Sequence, residues 1–385
     1  MLNSLKIKRF RALEDFSVSR LGRVNLIVGK NNAGKSTVLE ALQIYAAGGR
    51  VSLLETLAKQ HGEWVSHERA HDWAGWDAQQ LASRQQDGSA PFVGFFSGRI
   101  FPDSDEGIEI GENAAESRLY IEHGYYLEWQ APIHGEADMQ ALLYRRVSKD
   151  KTAEAETASQ AIALQAALFI KKGARQCITD LNGRRIRSGS IQTLPCACIP
   201  SGFVSMDDMA NEWDNIALTD DQEVVKSALQ LMTPDFMDIS FVKSNDQGLT
   251  RTAKIRLRGT PHPVPLGSMG DGMLRVLQIT LKIFAARGGL LLIDEFENGL
   301  HYSVQEKIWN LIFQLAEQLD IQVFATTHSW DCIESFAKVA VAQQGSEGVL
   351  FRMGRSARTS DHGKVIATVF DENQLLNITQ ADVEV

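Results

Sequence analysis

The chain has 385 residues, 44% of them hydrophobic and 23% charged, a balance that excludes disordered and fibrous classes. Its length exceeds one ordinary compact domain and predicts a head with an inserted or appended subdomain. The net charge of −9 argues against nucleic acid covering the whole surface, and the apolar runs, such as Leu164 to Ile170 and Gly289 to Ile293, are too short for a membrane helix.

The opening segment, Met1 to Phe10, alternates apolar and basic residues and lacks the apolar core of a secretory signal. Leu5, Ile7 and Phe10, then Phe16 and Val18, read as strands. A second strand region, Val24 to Val28, runs into a glycine-bearing loop and a helix that starts at about Lys35 and carries Val38, Leu39, Ala41, Leu42 and Tyr45 on one face. Residues 50 to 100 show no clear period and are read as helical. Strands are expected near Ile108 to Ile110, Leu119 to Glu122, Tyr125 to Trp129 and Leu142 to Arg146. Thr152 to Lys171 is Ala-rich and reads as a helix. Asp180-Leu181-Asn182-Gly183 is a turn between short strands. A helix over Asp221 to Met232 and strands at Ile239 to Lys243 and Ala253 to Leu257 follow. The last third alternates cleanly: helix Gly272 to Ala286, strand Leu290 to Ile293, helix Ser303 to Gln318, strand Gln322 to Ala325. Such alternation implies a parallel sheet.

Gly29-Lys30-Asn31-Asn32-Ala33-Gly34-Lys35-Ser36 matches GxxxxGK[ST] between that buried strand and helix. Polyphosphate needs unpaired backbone N–H groups at close range, which glycines permit, and a helix N-terminus adds positive potential. Lys35 can reach the β- and γ-phosphates, Ser36 can ligate Mg²⁺, and Thr37 can meet the α-phosphate. In Leu290-Leu291-Leu292-Ile293-Asp294-Glu295 two acids emerge at the end of a strand buried on both faces, where open α/β sheets bind ligands. Asp294 is expected in the Mg²⁺ shell and Glu295 as the group that orients and deprotonates water. Ala325-Thr326-Thr327-His328-Ser329 ends another aliphatic strand, and His328 can hydrogen-bond a γ-phosphate.

These motifs, in this order, resemble the ABC ATPases. Pro265-Leu266-Gly267-Ser268-Met269-Gly270-Asp271-Gly272 resembles a degenerate signature sequence, with Ser268 and Gly270 at the serine and second glycine of LSGGQ. Met269 and Asp271 stand where that family has glycine and glutamine. Ile7-Lys8-Arg9-Phe10-Arg11, GKNNAGKST and Glu297-Asn298-Gly299-Leu300-His301 are similar to the OLD and RecF/SMC-like branch, although Tyr302 stands where OLD proteins often have proline. The resemblance implies an ABC-type P-loop head, with a mixed, largely parallel sheet flanked by helices, an antiparallel β subdomain and an α/β insertion. The expected segments are 1–135 and 246–385 for the head and 136–245 for a partly helical, basic insertion. It further implies ATP and Mg²⁺ as ligands, a homodimer in which Ser268 and Gly270 of one protomer bind the ATP on the P-loop of the other, and Arg9 and Arg11 either near the nucleotide or at solvent. A Q-loop is sought around Phe92 to Arg99.

Many OLD proteins carry a TOPRIM nuclease domain with a DxD pair, and no DxD follows His328. The resemblance therefore implies a separate effector, a TOPRIM-type nuclease or toxin, often in anti-phage defence. A sensing scaffold with little turnover and a RecF-like DNA clamp are the alternatives. Between Arg145 and Arg187 ten Lys/Arg face four Asp/Glu, and Lys171, Lys172, Arg175, Arg184, Arg185 and Arg187 are the candidate DNA contacts. Two other patterns carry weaker weight. His67-Glu68-Arg69-Ala70-His71 has zinc-protease spacing without an identifiable third ligand, and Asp103-Ser104-Asp105 has nuclease spacing in a loop. The four cysteines form neither a CxxC pair nor a zinc pattern, which with the missing signal predicts reduced thiols and a cytoplasmic location.

Overall fold

The computed structural model of the chain describes residues 1–63, 92–102, 106–130, 142–147, 163–181, 185–187, 189–202, 204–243, 251–343, 347–358, 361, 363–370, 374–375 and 377. The expected HExxH cluster, the Asp103–Asp105 pair, Arg184 and the first part of the Ala-rich segment lie outside the described residues.

In chain order, β1 (Leu5–Phe10), β2 (Leu13–Val18) and β3 (Val24–Val28) lead into α1 (Lys35–Ala46) and α2 (Val51–Gln60). Next come β4 (Ile108–Gly111), β5 (Leu119–Gln130), β6 (Leu142–Val147), β7 (Ala163–Lys172), β8 (Arg175–Asp180), β9 (Arg185–Arg187) and β10 (Cys196–Ile199). Helices α3 (Met206–Ile216) and α4 (Asp220–Met232) precede β11 (Phe236–Lys243), β12 (Arg251–Leu257) and β13 (Val264–Pro265). The remainder is α5 (Asp271–Ala285), β14 (Leu290–Ile293), α6 (Tyr302–Gln318), β15 (Gln322–Thr327), α7 (Trp330–Ala342), β16 (Gly348–Arg355) and β17 (Val365–Phe370).

The chain divides into two compact units. The first comprises Met1–Ser4, Val18–Leu39 and Leu194–Val385. Its main sheet has six strands in the order β10-β14-β15-β3-β16-β17. All neighbours are parallel except β16 and β17. Every residue of β3, β14 and β15 is buried, as a parallel sheet covered on both faces requires. Buried polar side chains in this sheet are satisfied rather than stranded. Asn25 bonds both Gly22 O at 2.8 Å and Val323 O at 3.1 Å, and Gln322 donates to Leu2 O and Gly22 O, both at 2.8 Å. A separate sheet, β11-β12-β13, packs its inner residues Ile239, Phe241, Ala253 and Ile255 into the same core. Helix α3 is capped by Ser205, whose hydroxyl accepts from Asp208 N at 3.1 Å.

The second unit comprises Leu5–Ser17 and Glu40–Thr193 and contains an antiparallel sheet in the order β2-β1-β4-β5-β7-β8-β9, with β6 also paired to β5. Over its described part, from Ala163 on, strand β7 overturns the helix expected over Thr152 to Lys171. Ala167, Leu168, Phe169 and Ile170 are all buried, and the strand pairs on both edges, with β5 and with β8. A continuous buried run with two paired edges outweighs the intrinsic helix preference of alanine. Residues 136–245, expected as one insertion, divide between the units. Strands β6 to β9 lie in the second, whereas parallel pairing of β10 with β14 ties the following stretch to the first. No helix among the described residues is long and apolar enough to cross a membrane.

At the entry to β14, a Cβ on Gly289 would lie 1.9 Å from Pro195 O, the carbonyl that accepts from Leu290 N. Gly289→Ala therefore forces β10 and β14 apart and is expected to cost about 1–3 kcal/mol in urea unfolding. An unchanged midpoint and slope would contradict this packing.

Candidate nucleotide site

Because β3, β14 and β15 run parallel and in register, Gly29, Asp294 and His328 all leave the sheet at the same edge. The loop after β3 turns through left-handed backbone at Asn32 (φ 62°) and Gly34 (φ 92°). At Gly29 a Cβ would meet Met353 O at 2.6 Å, so only glycine lets the loop lie this close to β16. Helix α1 opens directly from the loop and turns its N-terminal N–H groups toward it.

Lys35 Nζ donates to two carbonyls of its own loop, Gly29 O at 2.8 Å and Lys30 O at 3.2 Å. Burial lowers its pKa from the ordinary 10.5, and the charges of Asp294, Glu297 and Glu295 oppose that shift without cancelling it. Ser36 Oγ donates to both carboxylate oxygens of Asp294, each at 3.1 Å. Thr326 Oγ1 donates to Asp294 Oδ1 at 2.6 Å and accepts from Glu295 N at 2.8 Å. Two hydroxyls thus bracket one carboxylate. A hydroxyl and a carboxylate already within 3.1 Å are the hard oxygen donors that Mg²⁺ takes.

Glu295 has φ +49°, unusual for a side chain with a Cβ. Its carboxylate accepts from Asn298 Nδ2 at 2.7 Å, and the same amide donates to Ser201 O at 3.0 Å. Beyond the turn, Phe296 is fully buried and stacked on Trp309 at 3.8 Å. His328 contacts one oxygen, Glu297 Oε1, through both its backbone N and its Nδ1, each at 3.1 Å.

Arg275, on the buried side of α5 and 1% exposed, was not singled out from sequence. It donates to Asp294 O at 2.7 Å, Glu295 O at 2.8 Å, Pro200 O at 2.8 Å and Gln278 Oε1 at 3.2 Å. Desolvation lowers its pKa to about 10 against the opposing pull of Asp294, Glu297 and Glu295. An arginine at a position flanked by the buried residues Met273, Val276 and Leu277 was the available signal. Ser268 and Gly270 are exposed at the start of α5; Ser268 Oγ donates to Pro265 O at 2.7 Å, and Gly270 has φ +88°. No hydrogen bond or ion pair among the described residues joins either to the loop at 29–36.

Five of the other candidates find local partners in the second unit; Arg184 and the side chains of Arg185 and Arg187 lie outside what is described. Arg11 pairs with Glu40 at 3.0 Å and Glu63 at 3.2 Å, and Arg9 with Glu106 at 2.8 Å. Lys171 pairs with Glu122 at 3.4 Å, Lys172 sits 3.8 Å over the Tyr45 ring, and Arg175 donates to Ser190 O at 2.9 Å. Phe92 to Arg99 forms two short 3₁₀ turns and contains no glutamine. All four cysteines are free thiols.

Two family models match this chain. One, described as "AAA ATPase domain", covers residues 1–127 and includes the phosphate loop. The other, described as "AAA domain, putative AbiEii toxin, Type IV TA system", covers residues 206–331 and includes Ser268, Asp294, Glu295 and His328. Both stretches of this chain are thus similar to AAA-type ATPase domains. Over 354 residues the chain is 23% identical to a Helicobacter pylori protein named "ATP/GTP phosphatase", covering 88% of each chain. Among solved structures it is similar to an SMC head bound to the C-winged helix domain of ScpA (TM-score 0.46, 11% identity, 97% of this chain and 99% of that one). It is also similar to the SMC head domain from Thermotoga maritima (TM-score 0.40, 12% identity, 96% and 99%).

The lowered pKa of Lys35 gives a pH dependence. Because burial favours the neutral amine, Lys35 in the nucleotide-free state gives up its proton, as pH rises, sooner than an exposed lysine would. ATP affinity is expected to decline as pH rises toward the ordinary lysine pKa of 10.5, with an onset earlier than an exposed lysine gives, measured with a fluorescent ATP analogue. Constant affinity over that range contradicts the assignment of Lys35.

Proposed function

We propose that two copies of the ATPase close around ATP, each presenting Ser268 and Gly270 to the nucleotide held by the phosphate loop of the other. The observation that carries this reading is the division of the candidate groups. Ser36, Asp294 and Glu295 are linked through Thr326 into one hydrogen-bonded set, whereas Ser268 and Gly270 are exposed and bonded to none of them. A triphosphate carries about four negative charges, more than one loop neutralises, and the start of a second copy's α5 offers another set of donors.

In this reading the N–H groups of residues 29–34 and Lys35 bind the β- and γ-phosphates, and Thr37 meets the α-phosphate. Ser36 and Asp294 hold Mg²⁺, which supplies positive charge to the phosphate oxygens. Glu295 takes a proton from the attacking water as its oxygen bonds to the γ-phosphorus and the bond to the β-phosphate oxygen breaks, releasing ADP and inorganic phosphate. His328 hydrogen-bonds the γ-phosphate. Arg275 holds the main chain at Asp294 and Glu295 and so fixes where both carboxylates start.

The motif pattern supports membership of the OLD and RecF/SMC-like branch. The toxin–antitoxin description of the model matching 206–331 supports a role in which the closing dimer controls a separate effector, a nuclease or toxin in phage defence. The basic stretch around Arg175 to Arg187 is the proposed contact for DNA or an acidic partner face.

The test is Glu295→Gln examined by size-exclusion chromatography with light scattering and by phosphate release. Turnover is expected to fall by about 100-fold or more while ATP-loaded protein elutes as a dimer. Adding Ser268→Arg should return it to monomer. A Glu295→Gln protein that binds ATP yet stays monomeric overturns the two-copy site.

A further inference from the structure

We infer that Asn298 is the positioning residue for Glu295: its side-chain amide holds Glu295 Oε2 and leaves Oε1 as the oxygen that takes the proton from water. The inference rests on the reading of Glu295 as the base and adds the group that orients it.

The main chain of Glu295 is fixed on both sides. Its N–H donates to Thr326 Oγ1 at 2.8 Å, and its carbonyl accepts from Arg275 Nη2 at 2.8 Å and from Asn298 N at 3.0 Å. These bonds, with Phe296 fully buried and stacked on Trp309, hold the left-handed backbone at φ +49°. What remains free is the side chain, whose rotamers are restricted only where something holds them. Among the described residues a single hydrogen bond reaches this carboxylate, from Asn298 Nδ2 to Oε2 at 2.7 Å.

The same Nδ2 donates to Ser201 O at 3.0 Å. An amide nitrogen carries two hydrogens, so each acceptor receives one. A backbone carbonyl can only accept, so the nitrogen of the amide, not its oxygen, must face Ser201, and that nitrogen then lies against Glu295. Ser201 follows β10, the strand paired in parallel with β14, which delivers the two acids. The carboxylate is therefore braced against the neighbouring strand and not only against its own turn.

Turn chemistry does not account for an asparagine here. The left-handed positions of the turn are Glu295 and Gly299, at φ +75°, and Asn298 is neither. Among the described residues no hydrogen bond uses its Oδ1, as an Asx turn would. Its side chain does one thing in this structure: it donates twice. A neutral donor also suits the surroundings, because Asp294, Glu295 and Glu297 all act on the charge of Lys35. An amide steadies one of these carboxylates without setting a cation against the oxygen that must accept a proton.

The experiment measures phosphate release by the full chain along an ATP titration. Asn298→Ala is expected to lower kcat by about tenfold or more, with KM for ATP changed by less than about twofold. Asn298→Asp keeps the shape, loses both hydrogens and should fall at least as far; it gives the same reading where the alanine variant does not fold. In a Glu295→Gln background the same substitutions should change the residual turnover by less than about twofold, because a group acting through Glu295 has no base left to orient. A bond that serves only the fold would lower turnover alike in both backgrounds. Wild-type kcat in either folded variant overturns the proposal. So does a loss confined to KM, or a further fall of about tenfold in the Glu295→Gln background. Wild-type turnover in Glu295→Gln overturns instead the reading of Glu295 on which the proposal rests, so the two failures are told apart.

Discussion

Everything at the candidate site depends on the side-by-side parallel pairing of β3, β15 and β14. Parallel strands present their C-terminal ends together, so residues far apart in the chain emerge within hydrogen-bonding reach. Ser36 and Asp294, separated by 258 positions, meet at 3.1 Å for this reason. Thr326, on the strand between, ties the same carboxylate to the backbone of Glu295. Aliphatic burial on both faces of these strands makes the edge rigid, because a slip of one residue would turn buried side chains toward the wrong layer.

The site also holds a charge where burial is unfavourable. Arg275 is removed from water and its pKa is pushed down, yet three main-chain carbonyls and Gln278 receive its hydrogens. A buried guanidinium of this kind contributes little net stability. It does connect the helix that begins at Gly270 to the turn that carries the two acids. Gly272 on that helix packs close enough to Gly299 that a Cβ would fall 2.9 Å from the Gly299 carbonyl. Helix α5 and the turn that carries the two acids are therefore packed against each other within the first unit.

The chemistry-bearing motifs were legible because each combines residue identity with a strong local pattern: a glycine-bearing loop between strand and helix, and acids or histidine ending buried aliphatic runs. Less legible were features decided by long-range pairing. Strand β10 hides its pattern in a short stretch between two prolines, with Cys196 and Cys198 reading as thiols rather than as strand residues. The residues directly after it nonetheless supply the Pro200 and Ser201 carbonyls used by Arg275 and Asn298. Strand β7 carries a helix-favouring composition that two paired edges override. Arg275 was hidden because an arginine on a mixed helix reads as a solvent-facing residue until the carbonyls that receive it are known. The partners of Glu295 and His328 were visible as letters, Asn298 and Glu297, but their roles follow from a turn whose left-handed residues no periodicity announces.

The proposed site turns on Ser36 and Asp294 together forming a cation seat beside the phosphate loop. Electron paramagnetic resonance of Mn²⁺ titrated in place of Mg²⁺, with ATP present, tests it most directly. The account predicts one tightly held Mn²⁺ for each ATP-loaded chain in wild type, with affinity falling by about tenfold or more in Ser36→Ala and in Asp294→Asn while ATP itself still binds. Unchanged Mn²⁺ affinity in Asp294→Asn would contradict it.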